Sequence, residues 1–160
     1  MSIHQCLCGS ALTYDDCCAP YHQGLAAPNA EALMRSRYSA YVREDIDYII
    51  DTTLPIQQPL LAVDAIRAWA AQTKWQRLMV LSHNPKIGKR HAQVHFRAYF
   101  MATDGEQCHE ERSAFVRVDD GEGERWYFLD PTVPCTHTGK MPCLCGSNER
   151  FKACCGKFLG

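Results

Sequence analysis

The same cysteine pattern stands at both ends of this chain, and it constrains the fold more than any other feature. Near the N-terminus the residues run Cys6-Leu7-Cys8-Gly9-Ser10, then Tyr14, then Cys17-Cys18. Near the C-terminus they run Cys143-Leu144-Cys145-Gly146-Ser147, then Phe151, then Cys154-Cys155. Both read C-x-C-G-S-x(3)-[aromatic]-x(2)-C-C, which uses eight of the ten cysteines. The chain therefore divides into an N-terminal motif (1–24), a middle domain (25–135) and a C-terminal motif (136–160).

Clustered cysteines can form disulfides, a redox site or a metal site. Adjacent cysteines and C-x-C pairs are poorly placed for the narrow geometry of a disulfide. Met1 to Gln5 runs straight into the motif with no apolar stretch, which predicts a cytoplasmic chain with reduced thiols. Four soft thiolates on a short turn suit tetrahedral zinc. We therefore expect two zinc ions, one held by Cys6, Cys8, Cys17 and Cys18, the other by Cys143, Cys145, Cys154 and Cys155. Gly9 and Gly146 would permit the turn, Ser10 and Ser147 would cap a short helix, and Tyr14 and Phe151 would shield the site. His4 and His22 could replace a cysteine ligand, but the repetition leaves no need for them; Cys135 and His137, just before the second motif, read as linker or core residues.

A zinc ion with four thiolates carries two negative charges, so neighbouring cations should stabilise it. Arg150, Lys152 and Lys157 surround the C-terminal ligands, whereas the N-terminal motif has Asp15 and Asp16 and no Lys or Arg before Arg35. The N-terminal site is accordingly expected to hold its metal less tightly. Two such sites lower the formal charge from −1 to about −5, which does not suit a general DNA or RNA binder.

C-x-C-G-S followed by a cysteine pair resembles the SEC-C motif, named for the zinc-binding tail of the SecA preprotein translocase. There a histidine takes the position of Cys18 or Cys155. With Leu33-Met34-Arg35-Ser36-Arg37-Tyr38, Glu111-Arg112-Ser113 and Trp126-Tyr127 between the motifs, the whole chain resembles the YchJ family of bacterial proteins. That resemblance implies an α+β middle domain similar to nuclear transport factor 2, a cone of three helices packed on a curved antiparallel sheet. It implies no activity; the tail it resembles docks a chaperone.

The middle of the chain agrees with such a fold on its own pattern. Asn29 can cap a helix over Ala30 to Arg43 with Met34, Arg37, Tyr38 and Tyr41 on one face. Shorter helical stretches follow at Ile46 to Thr52 and Leu60 to Thr73, the latter burying Ile66, Trp69 and Ala70. Trp75 to Ser82 reads as a strand, and Ala92, Val94, Phe96, Ala98 and Phe100 alternate with polar residues. Asp104-Gly105 marks a hairpin, and a polar turn at 119–123 joins strands near Gln107 to Val118 and Glu124 to Leu129. Helices followed by an antiparallel meander give the α+β class.

Arg37 on the apolar helical face must either reach outward to solvent or meet a carboxylate, with Glu111 or Asp130 as partner. A pocket lined by Arg37, Tyr38, Tyr41, Glu111, Asp130 and Trp126 is the candidate ligand site, and a structural ion pair closing the cone is the simpler alternative. His91, His95 and His109 read as surface histidines, and Cys108 and Cys135 have no activating neighbour in sequence. No triad order, phosphate loop or zincin helix is present.

The functional expectations are three. An adaptor would present Arg150, Lys152 and Lys157 to a protein or ribonucleoprotein partner. A small-molecule-binding protein or enzyme would use the cone. A zinc store or thiol-redox sensor would release its metal readily. No membrane association is expected, and the polar strand face from His91 to Tyr99 could pair two copies as a homodimer.

Overall fold

The computed structural model describes residues 4–119 and 121–159; Asp120, within the turn expected at 119–123, lies outside them. Four α-helices precede four strands: α1 (Ala19–His22), α2 (Ala30–Val42), α3 (Ile46–Asp51), α4 (Val63–Gln72), β1 (Lys74–Asn84), β2 (His91–Ala102), β3 (Gly105–Asp119) and β4 (Glu124–Phe128). The strands form one antiparallel sheet in the order β1-β2-β3-β4, and α2 lies across it. This is the expected α+β architecture.

The Asn29 side chain accepts from the Ala32 amide at 2.8 Å, which satisfies a first-turn donor of α2. Asn29→Ala should cost about 1 kcal/mol of stability by urea denaturation, and Asn29→Ser should restore most of it. The buried face of α2 is broader than the four-residue stripe expected, because the sheet, α3 and the N-terminal cysteine unit all pack on it. Leu33, Met34, Ser36, Arg37, Tyr38, Ser39 and Ala40 are all buried. Ser36 shows how the polar positions are satisfied: its hydroxyl donates to Leu33 O at 2.8 Å and lies 2.6 Å from Tyr48 Oη.

Helix α4 starts at Val63 rather than near Leu60, because Pro55–Leu60 forms a separate 3-10 turn that contains Pro59. Ala70 is buried as expected. Trp69 is not: it is 41% exposed and sits at the rim of the domain against Tyr41 and Trp75.

In β2, Ala92, Val94, Phe96 and Ala98 are buried toward α2, and their register partners on β3 are Phe115, Ser113, Glu111 and His109. Irregularities in β1 between Trp75 and Arg77, and between Val80 and Ser82, bend the edge of the sheet. The other face of the sheet is divided. Toward the β3–β2 turn, Glu110 bridges His95 and Arg97 at 3.1 and 3.0 Å, an exposed polar ladder. Toward the opposite end, the C-terminal cysteine unit covers Val116 and Tyr127, which join Leu54, Leu129, Phe151 and Leu159 in a second core.

The molecule is thus layered. The N-terminal unit belongs to the helix-side core with Leu33, Leu78 and Phe115, and the C-terminal unit caps the far side of the sheet. Among the described residues, no helix is long and apolar enough to cross a membrane.

Candidate metal centres and the cone cavity

Each cysteine motif closes into a compact cluster. The sulfurs of Cys6, Cys8, Cys17 and Cys18 lie within 4.8 Å of one another, and so do those of Cys143, Cys145, Cys154 and Cys155. The turn after each C-x-C is the same: Gly9 and Gly146 both have φ of 82°, a left-handed conformation that favours glycine. Their amides reach back to Cys6 O at 3.2 Å and Cys143 O at 3.1 Å. A short bridge then pairs Gln5 with Thr13 in one copy and Pro142 with Arg150 in the other. Repetition in sequence has become repetition in shape.

The serines do not cap helices. Ser10 Oγ lies 3.0 Å from Cys17 Sγ and Ser147 Oγ 3.4 Å from Cys154 Sγ. Each hydroxyl also accepts from the amide two residues on, that of Leu12 or Glu149. The segments they open are turns, so the serine bonds a sulfur and its own turn rather than a helical end. Phe151 is buried over the second cluster as expected. Tyr14 is half-buried; its hydroxyl bonds His22 Nδ1 at 2.7 Å, and the Arg43 guanidinium lies 4.0 Å from its ring centroid.

The donor sets fit a tetrahedral ion with sulfur ligands. A tetrahedron with metal–sulfur bonds of about 2.3 Å has sulfur–sulfur edges of about 3.8 Å. The observed separations are 3.4 Å for Cys8–Cys17, 3.8 Å for Cys17–Cys18 and 3.5 Å for Cys145–Cys154. Among the described residues, neither cluster includes a histidine or a carboxylate. In each, one thiol is strongly acidic: hydrogen bonds from Cys18, and with them Ser10, hold Cys8 at about 4, and those from Cys155 and Ser147 do the same for Cys145. Four of their neighbours, Cys17, Cys18, Cys143 and Cys155, resist ionising. Burial pushes Cys17 and Cys143 up to about 11, and proton sharing with Cys8 or Cys145 raises Cys18 and Cys155 further. Four thiolates at this spacing therefore require a compensating cation.

The cations around the clusters differ from the expected ones. Arg150, Lys152 and Lys157 are exposed, and among the described residues no hydrogen bond joins them to a sulfur. The guanidinium that reaches one is Arg90, just before β2, whose Nη1 is 3.5 Å from Cys154 Sγ and 2.7 Å from Glu149 Oε2. Lys89 adds a second contact to Glu149 at 2.8 Å. On the N-terminal side α2 folds Arg35 back so that its Nη1 donates to Cys8 O at 2.8 Å. His22 is committed elsewhere, with Nε2 2.8 Å from Ser36 O. Cys135 and Cys108 are exposed.

His91 was expected on the surface, and the alternation of β2 does place it opposite Ala92. It is nevertheless buried, because the C-terminal unit lies on that face: His91 Nε2 is 3.3 Å from Cys155 Sγ and its ring is 4.6 Å from Phe158. Desolvation there lowers His91 to about 4. Nothing local in the sequence signals this contact across 64 residues.

The cone holds an inner cavity of about 80 Å³ walled by aromatic rings, among them Tyr38, Tyr41, Trp69, Trp75, Phe115 and Phe128. It shares Arg37, Tyr41, Trp69, His109, Glu111 and Phe128 with an outer cleft of about 530 Å³ that reaches Asp130. Five of the six expected pocket residues therefore meet at this place. Trp126 does not: it lines a separate cleft with Tyr21, His22 and Tyr48 at the other end of the helix layer.

Arg37 forms no ion pair with Glu111 or Asp130. Its Nη1 donates to Ile49 O at 2.9 Å, Thr52 Oγ1 at 2.7 Å and Thr53 Oγ1 at 3.4 Å, while Phe128 stacks on the guanidinium at 4.4 Å. The end of α3 supplies the polar cradle expected of a carboxylate. His109, expected on the surface, lines the cavity with Nε2 3.4 Å from Glu111 Oε2, and that contact raises its basicity.

Comparison with known proteins agrees with this anatomy. Residues 29–131 match the family described as YchJ, middle NTF2-like domain, and residues 5–20 match the SEC-C motif. A UPF0225 protein of Actinobacillus succinogenes is 47% identical over 155 residues, covering 96% of this chain and 97% of its own. One from Haemophilus influenzae is 46% identical over 160 residues, covering 99% and 96%. The crystal structure of a SEC-C motif containing protein from Psychrobacter arcticus superposes with a TM-score of 0.94 at 48% identity, over 99% of this chain and 98% of that one. A SEC-C motif containing protein from Rhodopseudomonas palustris, solved in solution, gives 0.68 at 42% identity over 78% and 94%.

Proposed function

The chain belongs to the UPF0225 family of YchJ-type proteins, and from that premise we propose that it is a cytoplasmic zinc-binding adaptor. Both zinc ions are structural in this reading, and the C-terminal unit presents Arg150, Lys152 and Lys157 to an anionic surface of a protein or ribonucleoprotein. The observation that carries the metal reading is the convergence of two complete four-thiol sets at tetrahedral spacing. Four sulfur ligands leave zinc no open position, which favours structure over catalysis. Seven of the eight sulfur-bearing residues are buried, which weighs against ready release to a store or sensor.

The adaptor role is supported by the exposure of Arg150, Lys152 and Lys157 on a unit whose other side is fixed to the sheet. A rigidly docked zinc unit offers a partner a preformed surface, which reduces the entropy lost on binding.

Two measurements test this reading. Elemental analysis with native mass spectrometry should find two zinc ions per chain, and a graded chelator should remove the N-terminal ion first. Cys17 is the one cluster cysteine that is not buried, and no cation of the described residues bonds an N-terminal sulfur. Release of both ions together, or of the C-terminal ion first, contradicts that order. Partner capture should then compare the intact protein with Lys152→Glu/Lys157→Glu, which keeps both metal sites. Loss of a defined partner supports the adaptor; an unchanged set of captured proteins removes it.

A further inference from the structure

The guanidinium of Arg37 is an unusual group to find at the heart of this domain. It is buried, always charged, and without a carboxylate in ion-pair contact. All three of its hydrogen bonds use Nη1; the Nε–Nη2 edge makes none among the described residues. That edge is a planar two-donor fork, the shape that pairs side-on with a carboxylate. The residue lines both the inner cavity and the outer cleft, so it stands at their junction.

Two carboxylates share the cleft with Arg37, and each is bonded to a group other than the guanidinium. Glu111 has its own partner in His109, at 3.4 Å. Asp130, in the outer cleft, accepts from the Thr132 amide and hydroxyl at 2.8 and 2.6 Å. Much of the inner wall is aromatic, with Trp69 edge to face against Tyr41 and Trp75, and the Phe128 ring centroid 4.4 Å from the guanidinium carbon. One further donor is unmet: the Trp75 indole N–H is sealed in the wall with no acceptor. A buried donor in a native structure calls for a partner.

We propose that the cone binds a small aromatic monocarboxylate at the junction of its two spaces, with the carboxylate on the free edge of Arg37 and the ring running from the outer cleft into the inner cavity. A single guanidinium beside Glu111 and Asp130 suits one carboxylate better than a phosphate, which would bring more charge than one arginine balances. A cationic ligand would have to sit beside the guanidinium. A neutral ring would leave the buried charge as poorly paired as before. This site is separate from the zinc clusters, and either reading can fail without the other.

Benzoate is the probe, titrated into the full zinc-loaded chain by calorimetry, with Trp69 and Trp75 emission as a second readout. One saturable site per chain is expected. Arg37→Lys keeps the charge but loses the fork and should weaken benzoate roughly tenfold or more. Because that change can disturb the Thr52–Thr53 cradle, Ala98→Leu provides the independent test. Ala98 lines the inner cavity, and the larger side chain should abolish binding without removing any polar group. Benzamide, the neutral isostere, should bind roughly tenfold or more weakly than benzoate. Absence of benzoate binding at millimolar concentration, equal affinity for benzamide, or undiminished binding to Ala98→Leu would each overturn the proposal.

Discussion

Cys155→Ser is expected to remove one zinc ion per chain and to lower stability by about 4 kcal/mol, or ~10 °C in melting temperature for a chain of this size. Cys155 is fully buried; its amide donates to Cys143 Sγ at 3.4 Å and its sulfur touches His91. A serine oxygen is a harder, shorter ligand, and it would leave three thiols to hold the ion. The consequence extends beyond the metal. The cluster shares a core with Leu54, Val116, Tyr127, Leu129, Phe151 and Leu159, so a loosened unit uncovers the outer face of β3 and β4. Calorimetry and zinc analysis on the same sample would measure both effects. Cys17→Ser should also lose one ion but shift melting less. The N-terminal unit keeps other attachments to α2: Arg35 on Cys8 O and His22 on Ser36 O. A larger shift for Cys17→Ser would make its metal the main fastening of the molecule.

The difference between these two sites shows where sequence reading succeeds and stops. The ligands were legible because each set lies within thirteen residues that repeat, and a repeated local pattern needs no knowledge of the rest of the fold. The Asn29 cap and the alternation of β2 were legible for the same reason. The surroundings of the clusters were not. Arg90 reaches Cys154, and Arg35 reaches Cys8, only because a turn and a helix return across the chain. Charge counted along the motif therefore named Arg150, Lys152 and Lys157, which stand outside.

His91 carries the same lesson in a sharper form. The period of two placed it correctly on the outer face of the sheet. Whether that face meets solvent depends on the C-terminal unit, and periodicity says nothing of what covers a face. For Arg37 the buried helical face was read correctly and its partner was not. The polar groups that meet it, Thr52 and Thr53, close α3 twelve or more residues on and give no sequence sign of facing α2. Trp126 shares a strand face with Phe128, yet two residues along the strand move it into a different cleft.

Phe115→Ala should cost about 3–5 kcal/mol, or ~10 °C, while leaving both zinc ions in place. Phe115 is 1% exposed, stands opposite Ala92 in the sheet and packs its ring 5.7 Å from that of Phe128. Removing it opens a void between sheet and helix that bonded strands cannot close. Trp69→Ala removes a larger ring and should cost only about 1 kcal/mol, because that ring is 41% exposed and contributes mainly edge contacts to Tyr41, Trp75 and His109. Hydrophobicity alone ranks the two the other way. If denaturation showed Trp69→Ala to be the costlier change, the rim around Trp69 would have to be closed in solution, with the ring serving as the lid of the cavity. A smaller cost for Trp69→Ala instead leaves that rim open, as entry of a ligand to Arg37 requires.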